Sequence, residues 1–251
     1  MDDHAIDTER LRRAVADVDE QHREAMRSLR ADLDEVTDLQ QAGDPAAGAS
    51  RRQFLRRIGV GGAAVAVGAT GISLGALLPA SAQSTATSEV ITDGDAPIIA
   101  FAQTAELALV ALYQKAIDTK KLDAILNETA RTFSLHHNDH ASALGTLLDT
   151  AAPNQGNQAM INQFGPQITN AADQNAIAQV LFQLEQAAAA TYESALGKLE
   201  RTFSAGPVST ILPIEGQQAV VWGQVLNLPI DQWLPNFQND ADALDMSKYP
   251  S

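Results

Sequence analysis

Three of the five histidines, His136, His137 and His140, lie within "SLHHNDHASAL", residues 134–144. His137 and His140 are three apart, so on a helix they share a face. Paired imidazoles of this kind serve as metal ligands or as members of a buried hydrogen-bond network. Either use needs acidic partners from elsewhere in the chain. Glu106 stands in an apolar stripe of Phe101, Ala102, Ala105, Leu109, Leu112, Tyr113 and Ala116. Glu185 stands among Ile177, Leu181, Ala188, Ala189 and Tyr192. A carboxylate alone in such a stripe is costly to bury. A metal ion, a hydrogen-bond network or a bound proton would offset that cost. His136 and Asp139 fall on the flanks of the same helix, at ~100° per residue. A surface pair of His136 with His140, four residues on, stays open.

The elements that would position these groups occur twice. Glu106, Tyr113 and Ala116 repeat as Glu185, Tyr192 and Ala195. His137, His140, Ala141, Leu144 and Gly145 repeat as Glu215, Gln218, Ala219, Trp222 and Gly223. The offset between copies is 78 or 79 residues. One helical hairpin is therefore present in two copies. Helices are expected over about 97–118, 122–149, 173–201 and 207–227, with "SAGP" interrupting before the last. A long crossover, about 150–172, joins the hairpins and carries a short helix near "QAMINQFG". Tyr113 and Tyr192, two turns after their glutamates, are either outer donors to a metal site, phenols that quench radicals there, or aromatic core residues. Trp222 reads as core packing.

Four motifs in this order resemble the ferritin-like superfamily, in its branch of exported bacterial ferritin-like domain proteins. The resemblance covers about 97–227. It implies an all-α fold, a ferritin-like four-helix bundle made of two repeated hairpins joined by a long crossover. It also implies metal-ligand positions at Glu106, His137, His140, Glu185, Glu215 and Gln218. Two of these depart from the family pattern: His137 stands where a glutamate is usual, and Gln218 where a histidine is usual. Three glutamates balance a di-iron pair poorly, so a di-iron centre is disfavoured. The remaining donors suit one Fe, Mn or Zn ion. The alternative is a metal-free bundle that serves as a structural or interaction module of the cell envelope.

Outside that region the chain divides further. Residues 1–48 form an acidic amphipathic helical extension, separate from the bundle. Val15, Val18, His22, Ala25, Leu29 and Val36 mark a stripe at three- and four-residue steps. A solvated helix or a coiled coil is expected there. Residues 49–82 read as an export signal. "SRRQFLRR", with Arg51, Arg52, Phe54 and Leu55, resembles a twin-arginine motif. A Gly- and Ala-rich apolar run, Ile58 to Leu78, follows, then "ASA" with cleavage expected between Ala82 and Gln83. The resemblance implies a twin-arginine translocase as partner and export to the periplasm or cell envelope. Membrane contact is through the signal alone, with tethering if the signal stays uncleaved. Residues 83–96 are a linker. Residues 228–251 are an irregular tail, expected to be anchored by Trp233 and Phe237. A net charge of −14 argues against nucleic acid. The absence of cysteine excludes disulfides and thiolate metal sites. Oligomerisation stays open.

Overall fold

The computed structural model describes residues 7–41, 91, 94–229, 232 and 242–250. The export-signal positions Arg51, Arg52, Phe54, Leu55, Ala82 and Gln83 lie outside the described residues, as do Trp233 and Phe237. Among the described residues there are six α-helices and no strand. They are α1 (Thr8–Gln41), α2 (Ala96–Asp118), α3 (Ala124–Leu148), α4 (Gln158–Thr169), α5 (Gln174–Leu196) and α6 (Thr202–Val225). A short 3-10 turn, Asp149–Ala151, follows α3.

The starts of the helices are set by short polar side chains. Asp123 accepts from the Leu126 amide, Asn157 from Met160 and Asp173 from Ala176. Each cap satisfies an amide that has no partner inside its helix. Pro97 occupies the first turn of α2, where no amide donor is needed. α6 differs from expectation. It begins at Thr202 and runs through "SAGP" with Pro207 and Pro213 inside it. Each proline removes a helical hydrogen bond. The segment stays helical because Pro207, Val208, Ile211 and Ile214 are all buried against the rest of the bundle. Its start is held from a distance: the buried carboxylate of Asp95 accepts from the Glu200 and Arg201 amides at 2.8 and 3.1 Å.

α2 pairs with α3, and α5 with α6, as two hairpins. The hairpins meet along α2–α5 and α3–α6, which makes a four-helix bundle. α4 rides on the crossover against α2 and α5, at the place expected for a short helix. Apolar residues form two main clusters along the bundle. One contains Leu109, Leu126, Phe133, Leu181 and Trp222. The other contains Ile99, Leu144, Leu147, Val208 and Ile211. The polar site lies between them. α2 is long and apolar enough to cross a membrane by length and composition, but its apolar side chains are largely inside this core.

The N-terminal helix is separate from the four bundle helices and lies along their outside, against α3 and α6. A solvated or self-paired helix was the expectation. Instead the seam is buried: Leu11, Val15, Val18, His22, Met26, Leu29 and Leu33 are each 8% exposed or less. Met26 takes the step expected of Ala25, and Val36 falls outside the described side chains. A periodic apolar seam needs an apolar groove but does not specify which one. Leu11, Val15 and Val18 join the first cluster, and Met26, Leu29 and Leu33 the second. Polar ties fix the register. Arg30 pairs with Asp139 at 2.7 Å, and Gln217 donates to Gln21 at 2.8 Å. At the other end of the chain, the Asn157 side chain donates to the carbonyls of Tyr249 and Pro250.

Met26 is 1% exposed. Met26→Asp would place a charge in the seam, at a cost of several kcal/mol that undocking avoids. Hydrogen exchange should then speed up by roughly 100-fold or more across α1, with the bundle amides still protected. Unchanged protection in α1 would show that this seam does not hold the helix.

Candidate metal centre

Each glutamate sits mid-helix on a face turned into the bundle, so none can reach bulk water. Glu106, His137, His140, Glu185, Glu215 and Gln218 are all 1% exposed or less. The structure brings Glu106, His137, His140 and Glu215 into one group, with one ligand atom from each lying within 4.8 Å of the others. The individual approaches are His137 Nδ1 to Glu106 Oε2 at 2.8 Å and His140 Nδ1 to Glu215 Oε1 at 2.9 Å. His140 Nδ1 is also 3.5 Å from Glu106 Oε1, and His137 Nδ1 is 3.8 Å from Glu215 Oε1.

Glu185 and Gln218 stand outside that group. Glu185 lies on the other side of the His137 ring, 3.2 Å from Nε2. Gln218 is turned away from the centre, with its amide nitrogen 3.1 Å from Nδ1 of His136. The tyrosines cross between hairpins. Tyr113 donates to Glu185, and Tyr192 donates to Glu106. Trp222 is fully buried and donates through its indole N–H to the Tyr113 hydroxyl at 2.7 Å. A cleft of about 500 Å³ has Tyr192 in its wall, together with Phe101, Lys198, Leu244 and Lys248. Tyr192 thus lines that cleft while its hydroxyl donates to Glu106.

The electrostatics follow from burial opposed by pairing. Burial works against a charged His137, but the charges of Glu185 and Glu215 and hydrogen bonds to Glu106 and Glu185 raise its pKa well above the usual histidine range. Geometry agrees, because both ring nitrogens face carboxylate oxygens and a neutral ring has only one N–H to donate. For His140, burial is outweighed by the charge of Glu106 and by the close approach of the Glu106 and Glu215 carboxylates, which lift it to about 9. Burial, reinforced by the charge of Glu106, pushes Glu215 up to about 8. Glu106 is buried too, but the charge of His140, the hydrogen bond from His137 and the nearness of the His140 ring bring it down to about 2.

Several buried atoms here have no aligned hydrogen-bond partner. They include Nδ1 and Nε2 of His140, both oxygens of Glu215 and Oε2 of Glu185. The 2.9 Å approach of His140 to Glu215 is thus a proximity without hydrogen-bond alignment. Ligands about 2.0–2.1 Å from a tetrahedral ion are about 3.4 Å from one another. The four approaches, 2.8–3.8 Å, bracket that separation. Two carboxylates and two imidazoles are also a fitting donor set for a transition ion. The residues present therefore fit one ion.

Two further histidines belong to the surroundings. His136 was placed on a flank, but it is 2% exposed because α1 covers it. Its Nε2 is 3.1 Å from Asp19 of α1. His22 of α1 stacks on His136, with ring centroids 3.8 Å apart and planes 17° from parallel. Burial, then the neighbouring imidazole charges, lowers His22 to about 2. Burial also lowers His136 to about 4, against the opposing hydrogen bond to Asp19. Sequence reasoning gave His22 no role beyond its place in the seam. The available signal was that it is the one polar residue in that seam.

A pH dependence follows. Glu215 and His140 have folded pKa values above their free ones, so at pH 7–9 the folded chain holds protons the unfolded chain has lost. Their contribution diminishes as pH rises through about 8 and then about 9. Urea unfolding of chelator-treated protein should show stability falling from pH 7 to 9, by on the order of 3 kcal/mol. A rise over that interval would contradict the assignment of these protons.

A family model for the ferritin-like domain matches residues 94–228, more than half of the chain. No curated protein and no solved structure matches. The helix order, the paired hairpins and the buried Glu and His groups agree with the matched region. The chain belongs to the ferritin-like domain family.

Proposed function

We propose that the chain is an exported ferritin-like protein that holds one transition-metal ion, Fe, Mn or Zn, at the centre of its bundle. The observation that carries this reading is the convergence of buried ligand atoms from Glu106, His137, His140 and Glu215, among which those of His140 and Glu215 are close without being aligned as hydrogen bonds. Glu106, His140 and Glu215 would hold the ion, and His137 would join them on losing its proton. Loading requires His140 and Glu215 to give up protons, since a ligand atom must offer a free lone pair. An iron or manganese ion would supply one-electron chemistry and a zinc ion would not, so metal- or oxidant-handling belongs to the first pair. Tyr113 and Tyr192 orient the carboxylates in either case, by donating to Glu185 and Glu106. The twin-arginine motif and the alanine-flanked cleavage sequence support export through a twin-arginine translocase to the periplasm or cell envelope.

One observation favours a second reading, a metal-free bundle with a structural or interaction role in the envelope. His137 lies between Glu106 and Glu185 and donates to both, so its imidazolium provides positive charge where a metal ion otherwise would.

Metal analysis of untagged protein separates the two. The first reading expects close to one ion per chain after incubation with Fe, Mn or Zn. It also expects about one to two protons released per ion at pH 7. Glu215→Ala together with His140→Ala should abolish both signals. Less than about 0.2 ion per wild-type chain, with no metal-dependent rise in Tm, would establish the metal-free reading instead.

A further inference from the structure

The bundle interior does not exhaust the unpartnered donors. His22 Nε2, on α1, is buried and has no hydrogen-bond partner. His140 Nε2, the ring atom opposite the one nearest the central carboxylates, has none either, and neither has Gln218 Oε1. A buried polar atom left unpartnered has lost its hydration with no hydrogen bond in return. Three such atoms come from residues gathered round one spot, where α1 crosses α3 and α6. The His22 and His140 rings have centroids 5.1 Å apart and planes tilted by 57°. Two imidazoles sharing a tetrahedral ion at about 2.0–2.1 Å have centroids about 5 Å apart. Gln218 is held beside them by its contact with His136 at 3.1 Å.

The mounting of His22 also suggests a built position. Asp19, three residues earlier on α1, is 3.1 Å from Nε2 of His136. His136 is thereby fixed at both nitrogens, by Asp19 and Gln218, and its ring is the plate on which His22 stacks. Arg30 on Asp139 and Gln217 on Gln21 fix α1 on either side.

We propose a second cation position, between α1 and the bundle, formed by His22, His140 and Gln218 and suited to a divalent transition ion such as Zn²⁺ or Co²⁺. Two imidazoles and an amide oxygen leave room for one further ligand, so water or a small anion completes the shell. The position uses the His140 nitrogen that the central group does not, and so does not rest on the central ion; a neutral imidazole has one free lone pair, so His140 serves one ion at a time. Because one ligand comes from α1, ion binding and helix docking must stabilise each other to the same extent.

The test uses the full chain and Co²⁺. At an ion concentration about ten times Kd, exchange of α1 amides that open by undocking should slow about tenfold. His22→Phe keeps a ring on His136 but removes the nitrogen, and it should lose that response. Glu106→Gln with Glu215→Gln, which disables the central group, should keep it. Should His22→Phe dock poorly, ¹⁵N-histidine spectra of the wild type give a direct reading, with His22 resonances shifted and broadened by bound Co²⁺. Exchange in α1 that does not respond to Co²⁺, or a response equal in wild type and His22→Phe, would overturn the proposal. A response lost in the glutamate variant but kept in His22→Phe would place the ion at the centre alone. Loss of central binding with the α1 response intact would count against the central site and leave this one standing.

Discussion

Three carboxylates and two imidazoles lie in the middle of an otherwise apolar bundle, and none of them reaches water. The effective cost of burying a single ion is several kcal/mol. A domain of this size has only about 5–15 kcal/mol of net stability. Left unpaired, these groups would consume most of it. Their mutual arrangement is therefore a condition of folding, whether or not an ion is bound. The two apolar clusters on either side exclude water and keep the pairs strong.

The same constraint explains the residues around the centre. Glu106 and Glu185 each need a donor that can reach them without bringing solvent, and a tyrosine from the opposite hairpin provides it. The Tyr113 hydroxyl in turn accepts from Trp222, so this chain of hydrogen bonds ends on an indole that needs no acceptor of its own beyond the phenol. His137 answers the departure at the second-helix position. An imidazole cannot bridge two metal ions as a carboxylate does, but spanning Glu106 and Glu185 it supplies charge of the opposite sign. Gln218, freed from the centre, turns outward to His136.

Much of this was legible in the chain because buried acids are rare enough to stand out against alanine and leucine. Glu106 and Glu185 marked the inward faces of two helices, and the 79-residue interval between them marked the duplication. The helix starts were legible to within a few residues, and Asp123, Asn157 and Asp173 fix them in the structure as local caps. What was not legible depends on tertiary contact. The run of α6 through Pro207 is decided by burial, against local propensity. The tyrosine hydroxyls reach across hairpins, which spacing along one helix does not reveal. The docking of α1 was hidden because its seam would fit many grooves. His136 was misplaced for the same reason, since it is inward only when α1 covers it.

The crossing of the tyrosines has one more consequence. Tyr113 serves the acid of the second half and Tyr192 that of the first, so each contact has a reciprocal. Such reciprocity is the signature of a twofold-symmetric association between identical partners. The crossover then acts as a tether fusing what is architecturally a pair of equivalent subunits. The two copies are not identical, since Trp222 stands in one where Leu144 stands in the other.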